Sequence, residues 1–305
     1  MNWFLIALIN PVAHAFINHF DKYLISKFIK GGAVGALILF SSLFAVVLLP
    51  ILLIYDSSIL RSITIGNAAI LMVNGTFLTL AILLYLYALE DEEASIVAPL
   101  FQLIPVFGFI AGYFILGEII TGSEIWAAGL IIAGGTVLSM EFAGRRSKLK
   151  WRLILLMLGA SMFYAVNAVI FKYIAVDQGF ASSLFWDMLG KVLLGVGLFF
   201  GVRSYREQFL NLLRSNRYTI IGLNVINEII GLIGEVAIIF AVLFAPVVLV
   251  QSVGGLQPMF VFLFAILFTF LFPKFASESF AKRDLIQKVI GIVIITVGVY
   301  LLDLG

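Results

Sequence analysis

Ala94–Leu116 reads ASIVAPLFQLIPVFGFIAGYFIL, twenty-three residues without a charged side chain and with Pro105 near the centre. As a helix rising about 1.5 Å per residue, such a run crosses the roughly 30 Å hydrocarbon layer of a bilayer. In lipid each backbone polar group must be paired within the segment, which selects helix over an isolated strand. A shift of 153 residues (74 to 227) carries Pro105 onto Pro258, and Phe107 and Phe109 onto Phe260 and Phe262, without a gap. The same shift places Asn74 on Asn227 and Ala88 on Ala241. Lys22-Tyr23 matches Lys172-Tyr173 at a shift of 150 (22 to 172), and Gly129 matches Gly291.

Nine further segments qualify as spans. The first half holds Asn2–Phe20, Ala33–Ile54, Gly66–Leu89 and Ser123–Glu141. The second holds Trp151–Ile174, Ala181–Gly201, Tyr218–Phe244, Ala245–Phe272 and Leu285–Leu302. The predicted fold is therefore all-α and integral to the membrane, with ten transmembrane helices as two inverted five-helix repeats, residues 1–145 and 146–305. Five is odd, so the two halves enter the membrane from opposite sides. They join through the short basic linker Ala143–Lys150.

Composition supports the class. Hydrophobic residues make up 63% of the 305 and charged residues 12%, with a mean hydropathy of +1.15, too apolar for a soluble domain. The net charge of +2 comes with no basic stripe, so nucleic acid is not an expected partner. There is no cysteine, which removes disulfides, thiolate catalysis and thiolate metal sites. Two histidines without a His-Glu-x-x-His pattern predict no metal site, and no bound cofactor is expected. Trp3–Ile17 has no basic region before it and no small-x-small site after it, and reads as the first span rather than a cleaved signal. The predicted location is the cell membrane, multi-pass.

Lysine and arginine concentrate after spans one, five, seven and nine, in Lys22, Lys27 and Lys30, in Arg145–Lys150, in Arg203, Arg206, Arg214 and Arg217, and in Lys274, Lys282 and Arg283. The other loops carry essentially Arg61. The positive-inside rule puts the basic face in the cytoplasm and both termini outside. In Ser204–Arg217, Tyr205, Phe209, Leu212 and Leu213 form an i, i+4, i+7, i+8 stripe between arginines, predicting a helix lying in the membrane interface.

Charges inside apolar spans cost about 2.5–3.5 kcal/mol each on insertion scales and mark functional candidates. The eighth span carries Asn224, Glu228, Gly231 and Glu235 at steps of four, three and four, hence on one face. The seventh carries Asp187 and Lys191, one turn apart. Either these form an ion-pair network that only ties the two helices together, or one acid stays unpaired and binds a proton or a cationic group. Three acids against one base favour the second. Asn10, His14 and Asn18 share a face of the first span, and His14 matches Tyr164 in the repeat. Asn74, Asn167, Gln102, Gln251 and Gln257 complete the polar candidates. Pro105 and Pro258 each remove an N–H, which predicts freed carbonyls on Phe101 and Gly254, with Gly254-Gly255 loosening the second break. Discontinuous helices at matching places in two halves point to a midplane binding site.

Other features read as structural. Trp3, Trp126 and Trp151 are expected interfacial anchors, Gly129, Gly134, Gly135, Gly291 and Gly298 close-packing positions, Glu118 a helix-end residue, and Glu90–Glu93 a solvated loop.

Tyr87-Ala-Leu, Ala94-Ser-Ile-Val-Ala-Pro-Leu, Pro105 and Leu116-Gly-Glu118 together resemble the drug/metabolite transporter superfamily, EamA type. Phe270-Leu271-Phe272-Pro273 stands where that family usually repeats Leu-Gly-Glu. The resemblance implies ten helices in two inverted repeats and movement of amino acids, nucleoside-like or other small metabolites. It also implies termini in the cytoplasm, opposite to the loop charges. The expected function is a secondary transporter moving a small metabolite (amino-acid-like, amine or related solute) by alternating access, with the proton a candidate co-substrate. Spans one, three, four, six, eight and nine would line the cavity, with five and ten as braces. The alternative is a non-transporting scaffold or sensor subunit. That reading requires every buried charge to be paired and no through-cavity. A membrane enzyme ranks below both, since no nucleophile–base pair is evident.

Overall fold

In the computed structural model, residues 3–28, 34–91, 97–139, 151–214, 218–271 and 282–304 are described. They form helices and short connections, with no strand among them. We number the helices α1 (Trp3–Phe28), α2 (Val34–Tyr55), α3 (Ile65–Asp91), α4 (98–116), α5 (Gly122–Ser139), α6 (Trp151–Gln178), α7 (Phe180–Gly201), α8 (Arg203–Arg214), α9 (Tyr218–Ala241), α10 (247–271) and α11 (Lys282–Leu304). Six of these, α2, α3, α6, α7, α9 and α10, are long and apolar enough to cross a membrane. Shorter apolar stretches lie in α1, α4, α5 and α11, at Trp3–His19, Leu100–Leu116, Gly122–Val137 and Ile286–Leu301. Helix α1 runs about two turns past the predicted end at Phe20.

The packing places the polar groups at the centre. Helix α1 lies along α9 and α10, while α3 lies along α6 and α7. Helix α4 meets α6 and α10, and α5 pairs with α11 away from the centre. Helices α3 and α7 touch almost backbone to backbone: a methyl group on Gly75 would sit 1.8 Å from the Asp187 carbonyl oxygen, and one on Gly190 1.9 Å from that of Met72. Helices α5 and α11 close in the same manner, through Gly134 against the Gly291 carbonyl and Gly298 against Ile131. Gly135 faces the Gly255 carbonyl, whereas Gly129 has nothing within 4 Å and is not a packing position. Gly179, at φ +86°, is the single residue between α6 and α7, a conformation that favours glycine.

The two helices carrying the matched prolines Pro105 and Pro258 change type, but their carbonyls are not freed. The first turns of α4 are 3-10 helix over Ala98–Leu103, and α10 contains a 3-10 turn over Val253–Leu256. Pro105 and Pro258 fall in the first turn of the α-helix that follows. There the missing N–H removes no intrahelical bond. The Phe101 carbonyl accepts the Ile104 N–H, and the Gly254 carbonyl accepts the Gln257 N–H, so tightening to i+3 bonding absorbs both acceptors.

The amphipathic segment is helical as predicted, over Arg203–Arg214; 215–217 lie outside the described residues. Phe209 packs 6.3 Å from Phe40 and 6.2 Å from Phe199, between α2 and α7. Gln208 Oε1 accepts the Gly35 N–H at 2.9 Å, and the Tyr205 hydroxyl bonds that of Tyr87. Burial, then that bond, then the Glu90 charge, hold the Tyr205 phenol above its ordinary pKa. Leu213 stays exposed, and Arg203 donates to Glu207 at 2.7 Å on the outer face. Trp126 and Trp151 are exposed as expected of interfacial anchors, but Trp3 packs against the core. Glu90 is exposed at the end of α3, and 92–93 lie outside the described residues, as do the basic clusters at 145–150 and Lys274.

Candidate functional site

Two linked polar groups occupy the middle of the helix bundle. In the first, at the α3–α6–α7 junction, Asn74 and Asn167 exchange bonds: each Nδ2 donates to the other's backbone carbonyl at 3.1 Å. Both amides also point at Asp187 Oδ1, Asn74 at 2.7 Å and Asn167 at 3.4 Å. Asp187 is fully buried, and its Oδ2 has no hydrogen-bond partner; nor do Asn74 Oδ1 and Ser183 Oγ. The close approach at Gly75 and Gly190 makes this possible, because it brings the α7 backbone against the turn that carries Asn74.

In the second, Lys191 donates to Glu235 Oε2 at 2.9 Å, joining α7 to α9 with both side chains buried. Glu228 lies within electrostatic reach of Lys191, and His14 within reach of Glu235 and Lys191. The buried faces of Asn224 and Gly231 continue the predicted stripe of α9. Breaking one partner from a buried ion pair typically costs about 3–5 kcal/mol, so Lys191 and Glu235 are strongly coupled.

Glu235 also lines a small cavity of about 20 Å³ with Tyr164, Asn167 and Gln251, closed on its apolar side by Leu78 and Ile238. Such a volume holds about one water. Gln251 is buried, and neither its Oε1 nor its Nε2 has a hydrogen-bond partner. Its carboxamide lies across α4 at Gly108, where a methyl group would sit 1.9 Å from Oε1.

Not every candidate joins this centre. Asn18 is exposed: α1 turns its lower Asn10 and His14 inward, and by Asn18 that face has reached the outside. Gln102 lies beside Gly135 on α5, and Gln257 is half-buried beyond the 3-10 turn that follows Gln251; neither borders the cavity. Gly255 packs its backbone on Ile131, and Gly254 has open space around it.

One group escaped sequence reasoning. Glu118, after the left-handed Gly117 (φ +66°) that ends α4, pairs with Lys172 of α6 at 2.7 Å. Lys172 Nζ also donates to the Ala245 carbonyl at 2.7 Å, and Glu118 Oε2 accepts the Val247 N–H at 2.8 Å, at the start of α10. A carboxylate there complements the helix dipole. The repeat match of Lys22 with Lys172 marked the lysine, but nothing in the spacing linked it to a residue 54 positions away.

Known proteins agree with this architecture. A solved structure, described only as the crystal structure of a protein, superposes with a TM-score of 0.64 at 14% identity, covering 100% of this chain and 96% of that one, and shows the fold alone. No curated protein matches the sequence. The chain is a multi-pass membrane protein, and over residues 1–140, somewhat less than half of its length, it is similar to the EamA-like transporter family.

Proposed function

We propose that the chain is a secondary carrier for a small cationic or amine-bearing solute. It would be built from two inverted repeats, 1–145 and 146–305, and would work by alternating access in exchange for a proton. The observation that carries this reading is the central cluster. Asp187 and Glu235 are buried around Lys191, Glu228 lies within its electrostatic reach, and Glu235 also borders the cavity. Lys191 can neutralise one acid fully. A second carboxyl, poorly hydrated among like charges, is a site for a proton or for the cationic end of a solute. Competition between the two for one site couples them, provided that each has a different affinity for the two conformations. The scaffold or sensor reading requires every buried charge to be satisfied and no through-cavity. The unpartnered Asp187 Oδ2 supports the carrier instead, and the cavity at Glu235 is where a wider opening would start.

The test is uptake into proteoliposomes across a pH range, for Glu228→Gln and Glu235→Gln separately. We expect at least one variant to lose uptake or flatten its pH dependence. If both keep wild-type uptake and wild-type pH dependence, the acids are structural and the coupling is wrong.

A further inference from the structure

We infer that Gln251 is a specificity-determining residue, and that the solute presents to it an adjacent hydrogen-bond donor and acceptor, as a primary carboxamide or an amino-heterocycle does. The inference deepens the carrier reading above and rests on it. Gln251 has both a donor and an acceptor with no partner in the chain, although it is over nine-tenths buried and borders the central cavity. A buried polar atom without a partner costs about 1–3 kcal/mol, so a carboxamide left open at both ends is not a packing choice. Methionine or leucine would fill the same space without that penalty.

The surroundings fix how the amide is presented. Gly108 admits the carboxamide against the α4 backbone, and any side chain there would collide with Oε1. Gln251 lies in the short first α-helical segment of α10, Val247–Ser252, with Ser252 alone between it and the 3-10 turn, so its backbone is set by a local break rather than by a long helix. Glu235 and Tyr164 line the same cavity. A glutamine side chain reads a neighbouring donor and acceptor bidentately, as it does the edge of adenine. Glu235 brings a carboxylate to the cavity wall, and buried Asp187 lies within electrostatic reach of its partner Lys191. One small molecule meets both demands if it carries an ammonium group for Glu235 and a carboxamide-like edge for Gln251. The cavity holds about one water as it stands, so such a ligand must bind with a wider arrangement of the same walls.

Three fragments separate the two requirements. Glycinamide carries both groups, propylamine only the cation, and propionamide only the amide edge. Thermal unfolding of the purified full chain in detergent is measured against the concentration of each. We expect glycinamide to half-saturate its Tm shift at about tenfold lower concentration than propylamine. In Gln251→Met, an apolar side chain of similar shape, that ratio should fall to about one. Gln251→Glu, which keeps an acceptor but no donor, should also lose the preference for the amide and guards against misfolding of the first variant. Equal responses to glycinamide and propylamine in the wild type would overturn the assignment, as would a preference that survives both substitutions or no response to any fragment. If amines bind and are transported without regard to Gln251, the carrier reading stands and the amide edge falls. If neither amine binds and proteoliposomes take up neither, the cationic carrier reading falls with it.

Discussion

Gly75 and Gly190 let a polar junction form between apolar helices. A side chain at either position would meet backbone oxygen, which cannot move aside as a rotamer can. Gly75→Ala should therefore push α3 from α7, lengthen the 2.7 Å Asn74–Asp187 bond, and cost about 1–3 kcal/mol as overpacking. Gly129→Ala meets nothing within 4 Å and should be neutral or slightly stabilising, since alanine is the better helix former by about 1 kcal/mol. Thermal unfolding of both variants in detergent decides this: equal Tm values would mean that the α3–α7 contact is not tight. At this scale the sequence is legible where chemistry conflicts with surroundings. Asp187, Lys191 and Glu235 stand out because charge in an apolar span is expensive. Asn74 and Asn167 are less visible, because amides are common in spans and their pairing is across helices. Asn18 misleads, since a helix face read from spacing alone does not say which neighbour it meets.

Among elements, the apolar runs announce the helices, while the places where helices change type are read only in part. Proline predicts a break, but whether the freed carbonyl awaits a ligand or is taken by an i+3 N–H depends on local winding. Here both carbonyls are taken. The Glu118–Lys172 pair belongs to this scale, since it ties the end of α4 to α6 and to the first turn of α10. Its two side chains are only 12–15% exposed, and two backbone groups, the Ala245 carbonyl and the Val247 N–H, converge on it. It sits on the face of the bundle away from the basic loops, where Ser62 of the α2–α3 connection also bonds Ser182 of α7 at 2.6 Å. The prediction is that this pair latches that face. A single reporter, Ala245→Cys, is possible because the chain has no native cysteine. Glu118→Gln or Lys172→Met should raise the rate at which a membrane-impermeant maleimide labels it several-fold, and Glu118→Lys combined with Lys172→Glu should restore part of the protection. Labelling that ignores all three changes would show the pair to be a passive cap.

For the whole molecule, several helix contacts have a counterpart under the proposed repeats, while others, α3–α7 the largest of them, do not. The α3–α6 contact has its counterpart in α9–α1, and α4–α6 in α10–α1, while α5–α11 and α4–α10 map onto themselves. The α3–α7 contact should be matched by α9–α2, yet among the described residues α2 does not pack along α9. Rocking of one repeat against the other, in an inverted-repeat carrier, exchanges the two arrangements. The present state then has the α3–α7 seam shut, by Gly75, Gly190 and the Ser62–Ser182 bond, and the α2–α9 seam apart. The opposite state should close α2 on α9 and part α3 from α7. Shifts of 150 and 153 residues carry the contact of Gly190 with Met72 onto Phe40 and Val225. Phe40→Cys with Val225→Cys should be bridged by a short bifunctional maleimide only as the protein cycles. Ser62→Cys with Ser182→Cys should oxidise readily at rest, arrest uptake in proteoliposomes, and abolish the Phe40–Val225 bridge when all four cysteines are present. Reduction should restore both. Uptake that continues at the wild-type rate with the Ser62–Ser182 bridge formed would mean that the α3–α7 seam never opens, and the broken symmetry would then be a fixed property of the fold.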